Sequence, residues 1–211
     1  MPTRSAPTDV RPVGRELRTR GRRTRERLLS AGAAVFAERG YHAARVDDIV
    51  KLAETSHGTF YLYFANKEGL FHALAEQVAE QLAGLANTLP ALTPGPAGLA
   101  ALTTWMAEFQ MMYAASGPII QAWTEAEIVA TEVGKLATSV WAAFTGALIE
   151  RIRASPVDDI DPAVAALAFV AMIERANYYV RTGQVGIDGD TVVNTLARVT
   201  HAGLFGPSAT A

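Results

Sequence analysis

The chain contains no cysteine among its 211 residues. That excludes disulfides, thiolate catalysis and cysteine-ligated zinc or iron–sulfur sites. It fits a reducing, cytoplasmic setting. No apolar run reaches about 18 residues without a charge or a break, so no membrane span is expected. The N-terminus has no apolar stretch of the signal-peptide kind. Histidines are few and scattered, at His42, His57, His72 and His201. They make no H-E-x-x-H motif and no ligand-like pair. Asp158, Asp159 and Asp161 read more simply as negative charge at a helix start than as a metal site. Ser116-Gly117 is not a nucleophile elbow. No catalytic residue, no metal and no cofactor are expected, and the chain does not read as an enzyme. β-branched runs are also scarce. Half of the residues are hydrophobic and alanine is abundant. The expected fold class is therefore all-α.

The net charge of −2 conceals an asymmetry. Residues 1–27 hold nine arginines against Asp9, Glu16 and Glu26, a surplus of six positive charges. The remainder is acidic. A polyanion suits the first end and is repelled by the rest, so contact with DNA is expected at one end only. Residues 1–18, rich in Pro, Arg, Ser and Thr, read as a disordered basic tail. That tail suits the minor groove or a merely solubilising role.

The most informative stretch is Val46 to Lys67. Val46, Ile49, Val50 and Ala53 keep helical spacing. The pattern breaks at Glu54-Thr55 and restarts at Ser56, a good N-cap. Two short helices with so tight a link read as a helix-turn-helix. Phe60 and Phe64 anchor the second helix on the core. His57, Gly58, Tyr61 and Leu62 cluster on another face that carries neither Lys, Arg, Asp nor Glu. That face suits a major groove: Thr59 and Tyr61 donate to phosphates, His57 reaches base edges, and Leu62 meets a thymine methyl. Asn66 caps a further helix, and Lys67 beside that N-terminus favours a phosphate. Arg20, Arg22, Arg45, Ser56 and Tyr63 complete the expected DNA-contact set. Upstream, a first helix from Thr19 to Arg39 is ended by Gly40. The arginines crowding its start oppose the helix dipole, a mismatch that nearby phosphates relieve.

These residues resemble the TetR family of transcription regulators. The likeness runs through Phe36, Gly40-Tyr41, Val46, Ile49, Ala53, Ser56, Gly58-Thr59, Tyr61, Phe64, Lys67-Glu68 and Leu70-Phe71, within Arg20 to Leu74. There are two departures. Glu54-Thr55 stands where the family usually has Gly and an aliphatic residue, and a left-handed Glu54 costs roughly 1 kcal/mol. Arg45 stands where a Thr or Ser often caps the second helix. The resemblance implies a three-helix DNA-binding head (19–66) and a helical ligand-binding and dimerisation body (67–205), about nine helices in all.

The body carries no specific motif. Its helices are expected at 67–89, Leu99 to Ser116, Ile119 to Ile128 after a break at Gly117-Pro118, Thr131 to Ala154, Pro162 to Thr182 and Thr191 to Leu204, the last capped by Asp190. Trp105, Phe109, Met112, Trp123, Trp141, Phe144, Met172 and Tyr178 are either core or the lining of an adaptable apolar pocket. Asn177 is the undecided polar residue among them. The resemblance implies that such a pocket binds a small apolar effector. It also implies a homodimer through the last two helices, for which Val164, Leu167, Val170, Val192, Leu196 and Val199 are candidates. A single helix-turn-helix touches one half-site, which independently favours two heads. The leading expectation is a regulator, most simply a repressor, released from a palindromic operator by its effector. A nucleoid-type or unliganded DNA-binding dimer, and less favourably a helical enzyme, are the alternatives.

Overall fold

A computed structural model describes residues 13–125 and 132–206. Among the described residues the elements are all helices: α1 (Val13–Ala43), α2 (Val46–Leu52), α3 (His57–Tyr63), α4 (Lys67–Thr88), α5 (Gly95–Glu125), α6 (Glu132–Arg153), α7 (Pro162–Arg181) and α8 (Gly189–Phe205). This is the all-α class expected, with eight helices against about nine. The expected tail lies largely outside the described residues, and α1 already begins at Val13.

The first three helices close over Leu29, Val35, Phe36, Ile49, Phe60 and Phe64, all buried. Tyr41 and Val46, also expected there, are only partly buried and pack against that core. Gly40 ends the regular part of α1 with φ 71 and ψ 168, the positive φ that a chain reversal needs there. Glu54 sits at φ 49, the only non-glycine with positive φ among the described residues. The turn is held by Thr55 N donating to Val50 O at 3.0 Å. Its left-handed backbone is thus the strained feature that the departure from Gly implied. Glu54→Gly is expected to raise stability by roughly 0.5–1 kcal/mol, after the extra unfolded-chain entropy of glycine. A urea melt with a lower midpoint for this variant contradicts the assignment.

α4 is the long link between this head and the rest. Its N-terminus is capped by Asn66, whose Oδ1 accepts from Gly69 N at 2.8 Å. Leu70, Phe71, Leu74, Val78, Leu82 and Leu85 bury one stripe. α4 packs on α1, α5 and α6, and α1 packs directly on α5 as well. The buried side chains form one continuous cluster from Leu28 to Ala197, so head and body share a core.

Two body expectations are corrected. No break occurs at Gly117-Pro118: α5 runs through Pro118 to Glu125. Tertiary packing overrides a proline cost of about 3 kcal/mol. Gly117 is needed there for a different reason, since a Cβ on it would stand 2.5 Å from Arg181 Cδ. The second correction concerns α8, which starts two residues early because Asp188, not Asp190, is the N-cap. Asp188 accepts from Thr191 N at 2.9 Å and from Thr191 Oγ1 at 2.6 Å. These hydrogen bonds hold its carboxyl below the ordinary value of 3.8. A depressed carboxylate stabilises the fold above its unfolded pKa and stops doing so as pH falls through the lower folded value. The contribution of this cap is therefore expected to fade only below pH 3.8. In thermal melts down that range, Asp188→Asn should lack this part of the acid loss.

α7 runs close to its expected bounds. By length and composition it passes for a membrane span, with mean hydropathy 1.2 over its most apolar window, 22% of which is buried. The apolar run ends only at Glu174-Arg175, and the helix packs on α5, α6 and α8. Its opening residue is Pro162, and Asp161 Oδ1 caps it by accepting from Ala163 N and Val164 N, each at 2.9 Å.

Candidate nucleic-acid interface

α3 is short and is positioned from both ends. Phe60 is fully buried and Phe64 nearly so, which fixes the helix by its inner face. Ser56 Oγ accepts from Thr59 N at 3.1 Å and also lies 3.0 Å from Thr59 Oγ1. Ser56 and Thr59 thus form the cap that starts the helix. The outer face presents His57, Gly58, Tyr61 and Leu62, all exposed, with Leu62 at 82%. So exposed a leucine beside an exposed tyrosine gains nothing from water. Tyr63 is partly buried, its hydroxyl close to Gly21 of α1.

His57 is not free to swing. Its Nε2 lies 2.6 Å from Asp47 Oδ1 on α2. The carboxylate fixes the ring so that Nδ1 is the nitrogen left to face outward. Asp47 was missed from the sequence, because a contact ten residues apart across a turn has no local signature. Arg45 stands at the N-cap of α2 in extended backbone with no side-chain cap bond, and its side chain is exposed. Arg20 and Arg22 are exposed on α1, where Arg22 Nε reaches Glu26 Oε1 at 3.6 Å. Arg25 stands over the Phe64 ring at 5.6 Å and Gly21 lies beside the Tyr63 hydroxyl, so the arginine-rich part of α1 runs next to α3.

Lys67 is placed differently from the expectation of a phosphate contact. Its Nζ donates to the carbonyls of Tyr41 at 2.9 Å, His42 at 3.3 Å and Ala44 at 3.1 Å. It also stands 4.7 Å from the centre of the Tyr41 ring. All three ammonium donors point inward at the end of α1, clamping it to the start of α4. Burial, then the nearby Glu68 carboxylate, pushes the Tyr41 hydroxyl above its ordinary pKa.

The model of the bacterial regulatory proteins of the tetR family matches residues 28–74, the stretch from the middle of α1 into α4. Residues 28–74 are thus a helix-turn-helix segment of the tetR type. An uncharacterised HTH-type transcriptional regulator of Bacillus subtilis, YdgC, is 38% identical over 73 residues, 35% of this chain and 37% of the relative. The chain thus matches little more than a third of the length of that curated relative. Whole-chain likeness comes from solved structures. The MbdR regulator of Azoarcus sp. CIB is similar with TM-score 0.70 and 18% identity, covering 86% of this chain and 99% of that one. FadR of Bacillus subtilis, solved in complex with stearoyl-CoA, is similar with TM-score 0.64 and 19% identity, covering 84% and 98%. At such identities the likeness is one of fold.

Several of the expected pocket residues come together as packed rings. Trp105 stacks on Phe144 at 5.9 Å between centroids and meets Phe109 at 6.1 Å. Trp141 stands edge-on to Phe144 at 5.9 Å. Trp105, Phe109 and Phe144 are at most 2% exposed. Trp105 Nε1 donates to Leu85 O at 2.9 Å, so its polar edge is also satisfied. Met112 is partly buried against the same core, and Asn177 is buried, its Nδ2 donating to Ile173 O at 2.7 Å. Tyr178 is partly buried and stands edge-on to Tyr179 at 5.6 Å. The Trp123 side chain lies outside what is described. Met172 faces elsewhere: with Phe169 it lines a groove of about 470 Å³ between α7 and α8.

That groove is also lined by Val164 and Val199. Val164 and Leu167 are each 65% exposed and Val199 54%. Val170, Val192 and Leu196 are partly buried. Of the residues expected at a dimer interface, Val164 and Val199 thus line this groove and Leu167 is exposed on the same helix as Val164.

Proposed function

We propose that the protein is a dimeric, sequence-specific DNA-binding regulator, acting as a repressor that a small effector releases from a palindromic operator. The observation that carries this reading is the outer face of α3. Four exposed residues without a formal charge stand beside an arginine-rich end of α1 on an otherwise acidic chain. His57 and Leu62 then read base edges, Tyr61 and the α3 backbone at Gly58 meet the phosphates, and Arg20, Arg22 and Arg45 flank them. Ser56 and Thr59 contribute by shaping the helix start, and Tyr63 by bracing α1. Residues 19–66 serve as the head and 67–205 as the body.

Two copies join through α7 and α8. Val164, Leu167 and Val199 leave three large apolar side chains more than half exposed on these two helices, as a surface that is covered in a dimer would. Dimerisation sets the two α3 helices one helical turn, or a multiple, apart. The effector is small and largely apolar and enters among the rings around Trp105 and Phe144. The stearoyl-CoA bound to FadR of Bacillus subtilis, a structure of the same fold, supports an apolar ligand in this family. The closed packing of the rings means that entry opens a space now filled, which gives ligand and DNA different preferred conformations.

Titration of a DNA duplex across a range of salt checks the head. Arg45→Ala is expected to weaken binding to all sequences and to reduce the salt slope by about 1. His57→Ala is expected to relax sequence preference while leaving that slope alone. Unchanged affinity and slope in both variants contradict the docking.

A further inference from the structure

We propose a second ligand site, for a small organic carboxylate, in the junction between head and body. A cavity of about 270 Å³ lies where the end of α1, the Pro118 segment of α5 and the end of α7 meet. Arg39 from α1 and Arg181 from α7 line it, and among the described residues Gln121 is the other polar side chain in the lining. Among the described residues no Asp or Glu lines it. Phe36, Ala37, Gly40, Pro118 and Ala122 complete the lining, and the surface they leave open is mainly that of the polar side chains, which suits a compact acid of few carbons.

Arg181 is the under-satisfied member. Its Nη2 donates to Gln121 Oε1, while its Nε is closed off from solvent with no partner. Gly117 admits the side chain this close, since a Cβ there would stand 2.6 Å from Nε. The nearest acidic side chain on the same helix, Glu174, is engaged elsewhere: it accepts from Tyr113 Oη at 2.9 Å and lies 3.7 Å from Arg175. A guanidinium with an unfilled fork offers a carboxylate two parallel hydrogen bonds. Presenting both to the cavity requires the guanidinium to turn away from Gly117 and release Gln121.

Arg39 gives the site a consequence. Its Nη1 donates to Asp48 Oδ2 at 2.8 Å, tying the end of α1 to α2. Gly40, at φ 71, is the adjacent joint in the chain. A carboxylate seated between Arg181 and Arg39 competes with Asp48 and draws α1 toward α7. It therefore shifts α1 against α2 within the head.

The test is calorimetry on the full chain with acetate, butyrate, benzoate and phenylacetate, with benzamide and inorganic phosphate as comparators. Binding of at least one acid at one site per chain is expected, with benzamide about tenfold or more weaker because it lacks the charge. Arg181→Gln is expected to lower affinity for that acid about tenfold or more. Ala122→Leu, which adds volume at a buried lining position and keeps both arginines, should abolish it in a variant that still melts cooperatively. Silence from all four acids at millimolar concentration overturns the proposal, as does binding that survives in both variants. Phosphate binding as tight as that of the best acid overturns the organic-carboxylate assignment. Release of bound DNA by the acid rests on the regulator reading above, whereas the calorimetry does not, so the two fail separately.

Discussion

Leu167→Asp combined with Val199→Asp is expected to give a folded monomer that has lost nearly all affinity for DNA. Both side chains are more than half exposed, at 65% and 54%, so the charges cost the single chain little. In a dimer through α7 and α8 each carboxylate is buried against its symmetry mate, and an unpaired buried charge is strongly disfavoured. One head alone holds one half-site, and losing the second discards the whole gain from joint binding. Sedimentation at micromolar concentration gives the first readout and a duplex titration the second. A variant that remains dimeric moves the interface elsewhere. A monomer that binds as tightly as the parent contradicts the two-headed reading.

Lys67→Met should destabilise the protein by about 3 kcal/mol, more than a surface lysine warrants. Three carbonyl acceptors at the end of α1 lose a charged donor together. Hydrogen bonds to charged groups contribute about 1.5–3 kcal/mol each in isolation, and the exposed carbonyls regain water, so the net loss is well below the sum. Methionine keeps the stem that packs on Tyr41 and isolates the ammonium's part. Urea melts read the stability, and the salt slope of DNA binding reads the alternative. A stable variant with a slope reduced by about 1 returns Lys67 to the phosphate role first expected of it.

Lys67 also shows where sequence reading stops. Its place at the first turn of α4 follows from Asn66 and the helix pattern. That its ammonium turns back to residues 41, 42 and 44 depends on how α1 meets α4. Local signals did better. The Ser56 and Asn66 caps, the Gly40 stop and the left-handed Glu54 all lie within a few residues of their causes, and all four are found in the structure. The body was less legible. Pro118 normally ends a helix, and only contacts from α1 and α7 reveal why α5 continues. Trp105, Phe109 and Phe144 carry the same residue types and spacing whether they pack ring on ring or line a cavity. The Arg39–Arg181 junction joins side chains from opposite ends of the sequence and leaves no pattern at all.

The central claim is that two α3 helices read a symmetric site. Selection of bound fragments from random DNA, with sequencing of those retained, addresses it most directly. The account predicts a palindromic motif whose half-sites lie about 10 base pairs apart, or a multiple of that. Binding without any motif, lost steeply with salt, would contradict it and leave a non-specific DNA-coating protein in its place.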